Sequence, residues 1–170
     1  MRFNVAQLLK AAVGSARTHA VESTLLALDA LNPACTAWGE VTLVRTNRSI
    51  LVTGTLGTSL KGICSRCLEE FSYGETFTLN EEYFPTVEVN TGRPLPAPED
   101  PTSFTIDENH ILDLTEAVRQ CIILAMPMQP LCRQDCIGLC PVCGQNLNVQ
   151  PCSCVHQDLD PRWATLQELA

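Results

Sequence analysis

The chain has few basic residues, and those it has are scattered. Its 170 residues include 11 Lys and Arg against 19 Asp and Glu, for a formal net charge of −8. Only two of the basic residues are lysines, Lys10 and Lys61. A surface that neutralises phosphates needs clustered Lys and Arg, so the composition argues against extensive nucleic-acid binding. An acidic chain is better matched to a basic protein partner.

Long apolar runs are also lacking. Gln7 and Lys10 interrupt the first stretch, MRFNVAQLLKAAVG, which therefore has no continuous apolar segment of the kind found in a signal peptide. No later segment approaches the roughly 18 consecutive apolar residues that a membrane span requires. We expect a cytoplasmic protein with no membrane partner. In a reducing cytoplasm, clustered cysteines are more often metal ligands or catalytic groups than disulfides.

Catalytic motifs are the third absence. The sequence shows no Ser–His–Asp order, no His-Glu-x-x-His and no phosphate-binding glycine loop. The three histidines, His19, His110 and His156, stand in no recognisable catalytic setting. We therefore expect a protein that is not an enzyme.

Hydrophobic residues make up 45% of the chain, enough for a real core. The patterns predict an α+β fold: a small antiparallel β-sheet or partial barrel with a packed helix and a C-terminal zinc-knuckle segment. Residues 1–126 are predicted to form the α+β domain, with a Pro-rich loop at 85–105. Residues 127–170 are predicted to form a cysteine-rich metal-binding segment and a C-terminal helix.

Individual elements follow from local patterns. Asn4 is the predicted N-cap of a short helix over VAQLLK. A hairpin is predicted from two runs rich in Val, Ile and Thr, TAWGEVTLVRT and SILVTGTLGTSLKGI, which have Asn-Arg between them. A third strand is expected in YGETFTLNEEYF. In DLTEAVRQCIILAMP, Asp113 and Glu116 have capping-box spacing before a helix with one apolar face. Cys121 on that face, and the isolated Cys35, are expected to fill the core. The last segment, LDPRWATLQEL, is expected to form a short amphipathic helix that presents Trp163, Leu166 and Leu169.

The most informative stretch is CRQDCIGLCPVCGQNLNVQPCSC, which places six cysteines between residues 132 and 154. Within it, Cys140 and Cys143 have the Cys-x-x-Cys spacing that lets two thiolates bind one tetrahedral zinc. Pro141 presets the first turn residue, and Gly144 lets backbone amides approach the second sulfur.

Other uses of these thiols fit less well. A direct bridge between Cys152 and Cys154 would be strained, and no thioredoxin-like βαβ context surrounds the Cys-x-x-Cys. Cys136, Cys140 and Cys143 match the three-cysteine spacing of radical enzymes with a four-iron cluster. Those enzymes, however, need a barrel for which this chain has no room.

The sequence leaves several groupings of the zinc ligands open. The partners of Cys140 and Cys143 are either Cys132 and Cys136 or Cys152 and Cys154, and His156 could replace a cysteine. A two-site arrangement would join a second pair, Cys64 and Cys67, to Cys132 and Cys136, and leave the other four for the second zinc. Each reading gives a closed four-ligand shell, whereas a catalytic zinc keeps an open position. We expect one or two structural Zn²⁺ ions that stabilise a segment too short to have its own core.

Four motifs in order, CSRCLEEF, ILDLTEAVRQCIILAMPMQPLC, CIGLCPVCGQNLN and LDPRWATLQEL, resemble the YceD family of bacterial and plastid proteins. The resemblance covers roughly residues 40 to 170. These proteins are described as large ribosomal RNA subunit accumulation proteins, and their gene commonly neighbours that of a large-subunit ribosomal protein. Some members lack most of the C-terminal cysteines, which implies a structural role for the metal. Cys64 and Cys67 fall on the family's Cys-x-Arg-Cys element.

The resemblance implies a non-enzymatic factor in large-subunit biogenesis that supports accumulation of 23S ribosomal RNA. Because the chain is acidic, we expect it to act through a ribosomal protein or precursor particle of the large subunit, with limited rRNA contact. The alternatives are an RNA-processing enzyme and a zinc-binding nucleic-acid-associated protein. An enzyme needs acidic or histidine groups gathered in a cleft, and the acidic pairs near the cysteines (Glu69, Glu70, Glu81 and Glu82) are explained more simply by strand-edge solubility.

Overall fold

The computed structural model describes residues 1–26, 28, 32 and 34–154. These residues form an α+β fold. The strands are β1 (Arg2–Asn4), β2 (Ala16–Leu26), β3 (Cys35–Arg45), β4 (Ile50–Ile63), β5 (Glu70–Pro85), β6 (Phe104–Ile106) and β7 (Ile111–Asp113), and the helices are α1 (Ala6–Lys10) and α2 (Thr115–Ala125). The predicted C-terminal helix with Trp163, Leu166 and Leu169, and also His156, lie outside the described residues. Neither described helix is long and apolar enough to cross a membrane.

Contacts divide the chain into two units. Unit 1 contains Met1–Gly62 and Ser72–Met128, and unit 2 contains Ile63–Phe71 and the described residues from Gln129 onward. The sequence-based division into 1–126 and 127–170 follows chain order alone. Unit 2 also takes in the turn between β4 and β5, because cysteines of this turn pack against cysteines that follow residue 129.

The main sheet of unit 1 has the order β2-β3-β4-β5-β6. The hairpin of β3 and β4 is confirmed, with Arg45 opposite Ile50 next to the turn, and β5 is the predicted third strand. The predicted α+β class is confirmed. The expected antiparallel sheet is corrected, because β5 and β6 are parallel and the sheet is therefore mixed; it is not a closed barrel. The irregular segment from 86 to 103 carries the chain back, so that β6 joins the edge of β5 in the parallel direction.

Strand β2 was missed by the sequence patterns. It pairs antiparallel with β3, and its register shifts between Val21 and Thr24. Its sequence, ARTHAVESTLL, carries Arg, His and Glu among short side chains and lacks the continuous β-branched signal of β3 and β4. Pairing with β3, a tertiary contact, decides its conformation.

The core of unit 1 lies on one face of the sheet. Alternate residues of β3, β4 and β5 are buried there, as the two-residue period of a strand requires; they include Val41, Leu43, Val52, Leu56, Leu60, Phe77 and Leu79. Helix α2 packs against this layer through Ala117, Val118 and Ile122, together with its N-cap residue Leu114, which confirms its predicted apolar face. Cys35 is buried in the core, and Cys121 is partly buried against it, as expected for filler residues.

Both predicted helix starts differ from the structure. Asn4 ends β1, and its side chain accepts a hydrogen bond from the amide of Ala6 at 3.1 Å while Val5 occupies the N-cap. The capping box of Asp113 and Glu116 is not formed. β7 pairs with β1 through residue 113 and keeps it extended, so the helix begins later, at Thr115.

Asp113 still binds the start of α2. Its Oδ1 accepts hydrogen bonds from the amide of Thr115 at 2.9 Å and from the hydroxyl of Thr115 at 2.6 Å, and its other oxygen accepts one from Arg2 at 2.8 Å. Partial burial raises the pKa of Asp113, but these hydrogen bonds outweigh it and hold the pKa well below its ordinary value. Glu116 instead pairs with Arg119 one turn further along.

Candidate metal centres

Eight cysteines of unit 2 form two groups, and in each group the four sulfur atoms lie within 4.8 Å of one another. Site A consists of Cys64, Cys67, Cys132 and Cys136, and site B consists of Cys140, Cys143, Cys152 and Cys154. This grouping corresponds to the two-site reading of the sequence. The structure does not bring Cys132 and Cys136 to Cys140 and Cys143 in one group.

A tight turn, Cys64 to Glu69, supplies half of site A. The amide of Leu68 donates to the carbonyl of Cys64 at 2.9 Å, and the amide of Cys64 donates to the carbonyl of Glu69 at 2.9 Å. These two bonds fold the chain back so that both sulfurs face the same side. Leu68 follows the second cysteine with a left-handed φ of 59°, a conformation that disfavours residues with a Cβ.

The turn from Cys140 to Gln145 repeats this geometry in site B. The amide of Gly144 donates to the carbonyl of Cys140 at 2.8 Å, and the amide of Cys140 donates to the carbonyl of Gln145 at 2.8 Å. Gly144 has the left-handed position, with φ at 73°, and glycine takes this conformation without strain. The two turns are therefore the same structural element built on different sequences.

Sulfur separations in site A match a single tetrahedral ion. The Sγ atoms of Cys64 and Cys136 are 3.7 Å apart, as are those of Cys67 and Cys132. Four thiolates at about 2.3 Å from one metal lie about 3.8 Å from each other, whereas a disulfide needs about 2.05 Å. The eight cysteines of sites A and B form no disulfides, so the geometry favours a mononuclear site over disulfides.

The grouping of the cysteines also argues against a four-iron cluster bound by Cys136, Cys140 and Cys143. The structure places Cys136 in site A, and Cys140 and Cys143 in site B. The three-cysteine spacing found in the sequence therefore does not gather around one centre. A tetrahedral set of four thiolates is typical of zinc or of an iron centre.

Backbone amides stabilise one thiolate in site A. Amides of Cys132 and Cys67 lower the pKa of Cys64 to about 6, because a hydrogen bond to the charged form favours that form. Burial and the neighbouring thiols raise the pKa of Cys132 to about 12. Four thiols this close cannot all ionise without a cation between them, and a divalent metal supplies that charge.

Site B repeats this electrostatic pattern. Amides of Cys143 and Val142 lower the pKa of Cys140 to about 6. The thiol of Cys143, followed by burial, raises the pKa of Cys154 to about 12. Metal binding at either site is therefore coupled to the release of protons.

The two sites differ in exposure. Cys64 is 0% exposed and Cys136 is 2% exposed, and together with Cys67 they form the buried cluster of unit 2. Phe71, Leu131 and Cys132 pack against that cluster. In site B only Cys140 is buried, and Cys143 is exposed. Site A is thus the centre of unit 2, and site B is closer to solvent.

Asn148 contacts candidate site A, and the sequence patterns missed it. Its Nδ2 donates to the sulfur of Cys136 at 3.3 Å, and its Oδ1 accepts from the amide of Ile137 at 2.9 Å and from Arg133 at 2.6 Å. Hydrogen bonds of this kind orient metal ligands and tune their basicity. Asn146 is a local partner, two positions away, but no local motif marks the contact with the site, because Arg133, Cys136 and Ile137 are 11 to 15 positions away.

Arg66 connects the first turn to the chain between the two sites. Its guanidinium donates to the carbonyl of Cys136 at 2.9 Å, and its own carbonyl accepts from the amide of Leu139 at 3.2 Å. Gly138 lies against Arg66 with a φ of 87°, and a Cβ there would lie 3.0 Å from the carbonyl oxygen of Arg66. These contacts give Arg66 a structural role within unit 2.

Comparison with known proteins gives a family for most of the chain. The profile described as "Large ribosomal RNA subunit accumulation protein YceD" matches residues 52–170. This range includes all eight cysteines of sites A and B. It begins within β4 and so excludes β2 and β3.

Curated relatives come from mycobacteria. An uncharacterized protein of Mycobacterium tuberculosis is 35% identical over 123 residues, which cover 72% of this chain and 56% of that protein. An uncharacterized protein of Mycobacterium leprae is 30% identical over 126 residues, which cover 72% of this chain and 54% of that protein. The chain thus spans about half the length of these relatives. No solved structure matches it.

Proposed function

This chain belongs to the YceD family, whose members are described as large ribosomal RNA subunit accumulation proteins, and we propose that it is a non-enzymatic factor in large-subunit biogenesis that supports accumulation of 23S ribosomal RNA. The family match over residues 52–170 is the observation that carries this proposal. The proposed place of action is the cytoplasm, where the subunit is assembled.

We propose Zn²⁺ as the metal at both sites, with a structural role. Each site offers four thiolates, the ligand set of structural zinc, whereas a catalytic zinc has three protein ligands and an open position for water. The apolar cluster of unit 2 consists largely of the site A cysteines themselves. A small unit of this kind depends on its metal for folding.

Elemental analysis of protein purified anaerobically tests the metal. We expect two zinc ions per chain. A Cys136→Ser variant should retain only the ion of site B, and a Cys152→Ser variant only that of site A. Iron in place of zinc, or a metal content that neither substitution changes, would contradict the assignment.

The proposed partner is a ribosomal protein or precursor particle of the large subunit, with limited contact to rRNA. The net charge of −8 supports this choice, because acidic surfaces attract the basic surfaces typical of such partners. Exposed charges are screened over about 8 Å at physiological ionic strength, so the association should weaken as salt is added. Association that persists unchanged in about 1 M salt would indicate a chiefly apolar interface.

A deletion strain tests the function. We expect less mature 23S RNA and fewer complete large subunits on a sucrose gradient, with small subunits less affected, and rescue by the wild-type gene. An enzyme would behave differently, because one polar substitution should abolish rescue while the protein stays folded and bound to its partner. Normal 23S levels and an unchanged gradient in the deletion strain would refute the ribosomal role.

A further inference from the structure

Strand β5 has an open edge in unit 1. Its neighbours in the sheet are β4 on one side and β6 on the other, but β6 pairs only with Tyr83, Phe84 and Pro85. From Glu75 to Glu82 the outer edge has no strand partner among the residues that the structure describes. A strand edge of this length presents a row of backbone donors and acceptors that another chain can pair with.

A groove runs between this edge and helix α2. Its volume is about 370 Å³, and it is lined by Thr76, Phe77, Thr78, Cys121, Leu124 and Ala125. Leu124 is 84% exposed, and Phe77 forms the edge of the core. An apolar side chain presented next to β5 would therefore bury the exposed face of Leu124.

Acidic residues flank the groove. Side chains alternate along a strand, so Glu75, Phe77, Leu79 and Glu81 lie on the face that α2 covers. Neither glutamate has an ion-pair partner among the described side chains. Burial, followed by the charge of Glu81, raises the pKa of the Cys121 thiol, which indicates that this carboxylate lies beside the groove.

The charge of the two sheet edges differs. Strand β5 carries four glutamates and no Lys or Arg, whereas β2, at the opposite edge, carries Arg17 and His19 with a single glutamate, Glu22. A basic segment is therefore attracted to β5 rather than to β2. A strand added to an edge obtains affinity from main-chain hydrogen bonds and specificity from alternate side chains.

We propose that the open edge of β5 binds an extended basic peptide segment of a partner protein, which joins the sheet as an additional strand. On the α2 side, basic residues lie opposite Glu75 and Glu81, and apolar residues between them lie over Phe77 and against Leu124. The pattern of the segment is thus basic–x–apolar–x–apolar–x–basic. The inference deepens the proposed function, on which it rests, by giving the chemistry of the segment that a ribosomal protein partner would present.

The test uses the metal-loaded full chain and a fluorescent peptide with Lys-Thr-Val-Thr-Val-Thr-Lys between glycines. A second peptide has the same composition in an order that breaks the alternation, and a third carries N-methyl groups along its backbone. We expect anisotropy to show binding of the first peptide alone. Equal binding of all three peptides would overturn strand addition.

Protein variants test the surface. Reversing both charges, Glu75→Lys with Glu81→Lys, should weaken binding about tenfold or more at low salt, and Leu124→Ser should weaken it about fivefold. The matched controls are Glu99→Lys and Val13→Ser, at exposed positions outside the groove, and they should bind as wild type does. Unchanged binding by the double reversal and by Leu124→Ser would overturn the proposal.

Hydrogen exchange locates the bound peptide. Protection should rise at the alternate amides of 75–82 that point away from β4 and stay unchanged in β2; protection of β2 alone would overturn the assignment of the edge. An rRNA fragment that displaces the peptide and binds more tightly to the double reversal, whose lysines attract phosphates, would assign the surface to RNA and refute the proposal. In the deletion strain, full rescue by a double reversal that binds no peptide would refute the inference and leave the proposed function intact. A strain without a 23S defect would refute the proposed function, while the peptide measurements would still decide the binding site.

Discussion

Removing the metal should unfold unit 2 and leave unit 1 folded. The prediction depends on where the apolar residues are. Unit 1 has a core formed by β3, β4, β5 and α2. In unit 2 the apolar cluster has six members, of which four are the cysteines of site A.

The stability of unit 2 can be compared with the contribution of its metal by considering that cluster. Fully burying one apolar side chain contributes about 1.5 to 3 kcal/mol. Only Phe71 and Leu131 in this cluster are not metal ligands, and both are partly buried, so their burial contributes about 6 kcal/mol at most. A structural zinc contributes about 10 to 16 kcal/mol of apparent binding free energy at pH 7. A bound zinc would therefore contribute more than this apolar burial, and we expect unit 2 to unfold when its metal is removed.

Hydrogen exchange measures the unfolding of unit 2 on removal of the metal. The amides of Leu68 and Gly144 form the hydrogen bonds that close the two turns, and they should lose their protection when a chelator removes the metal under reducing, anaerobic conditions. Amides between β3 and β4, such as those near Val41 and Gly54, should keep theirs. A Cys140→Ser variant should reproduce the loss in site B.

Two results would refute this reasoning. If the amides of Leu68 and Gly144 stayed protected after the metal content had fallen close to zero, unit 2 would have a core of its own. If β3 and β4 lost protection together with unit 2, the two units would be one cooperative structure. Cys121→Ala serves as the control, because this thiol belongs to unit 1 and its loss should not change the metal content.

Asn148→Ala should weaken metal binding at site A about 10- to 100-fold, as measured by competition with a zinc chelator, and Gln150→Ala should have no effect; equal affinities for all three proteins would contradict the role of the amide. Leu68→Gly should raise the metal affinity of site A about fivefold, because glycine removes about 1 kcal/mol of left-handed backbone strain. The leucine side chain is 63% exposed, so little packing is lost; weaker metal binding would show that this side chain contributes more than the strain costs. Asp113→Ala should lower the free energy of unfolding of unit 1 by about 1 to 2 kcal/mol at pH 7 in denaturant titrations. Because the pKa of Asp113 is lowered in the folded state, its carboxylate stabilises the fold above the ordinary pKa of about 3.9, and this stabilisation is lost as the pH falls below that value. A stability difference between variant and wild type that stays constant down to pH 2 would contradict a role of the carboxylate charge.

Some features of the fold could be predicted from short stretches of sequence. The β3–β4 hairpin, strand β5 and the apolar face of α2 depend on periodicities of two and 3.6 residues, which a local pattern displays. The helix starts could not be predicted in this way. Asp113 has the spacing of a capping box, but its pairing with Arg2 across β1 and β7 decides its conformation.

The candidate sites show the same division. Eight candidate thiols could be named from the sequence, and the shared turn of Cys140 and Cys143 could be predicted, because a Cys-x-x-Cys turn is a local structure. The sequence could not choose between the groupings of the remaining cysteines, since several spacings satisfy the same chain geometry. Only the tertiary structure decided this, by bringing the turn at Cys64 to Cys136, 72 positions along the chain, at 3.7 Å between their sulfurs. The physical reason is that a tetrahedral shell depends on distances between atoms, and such distances between remote residues are set by how the chain packs.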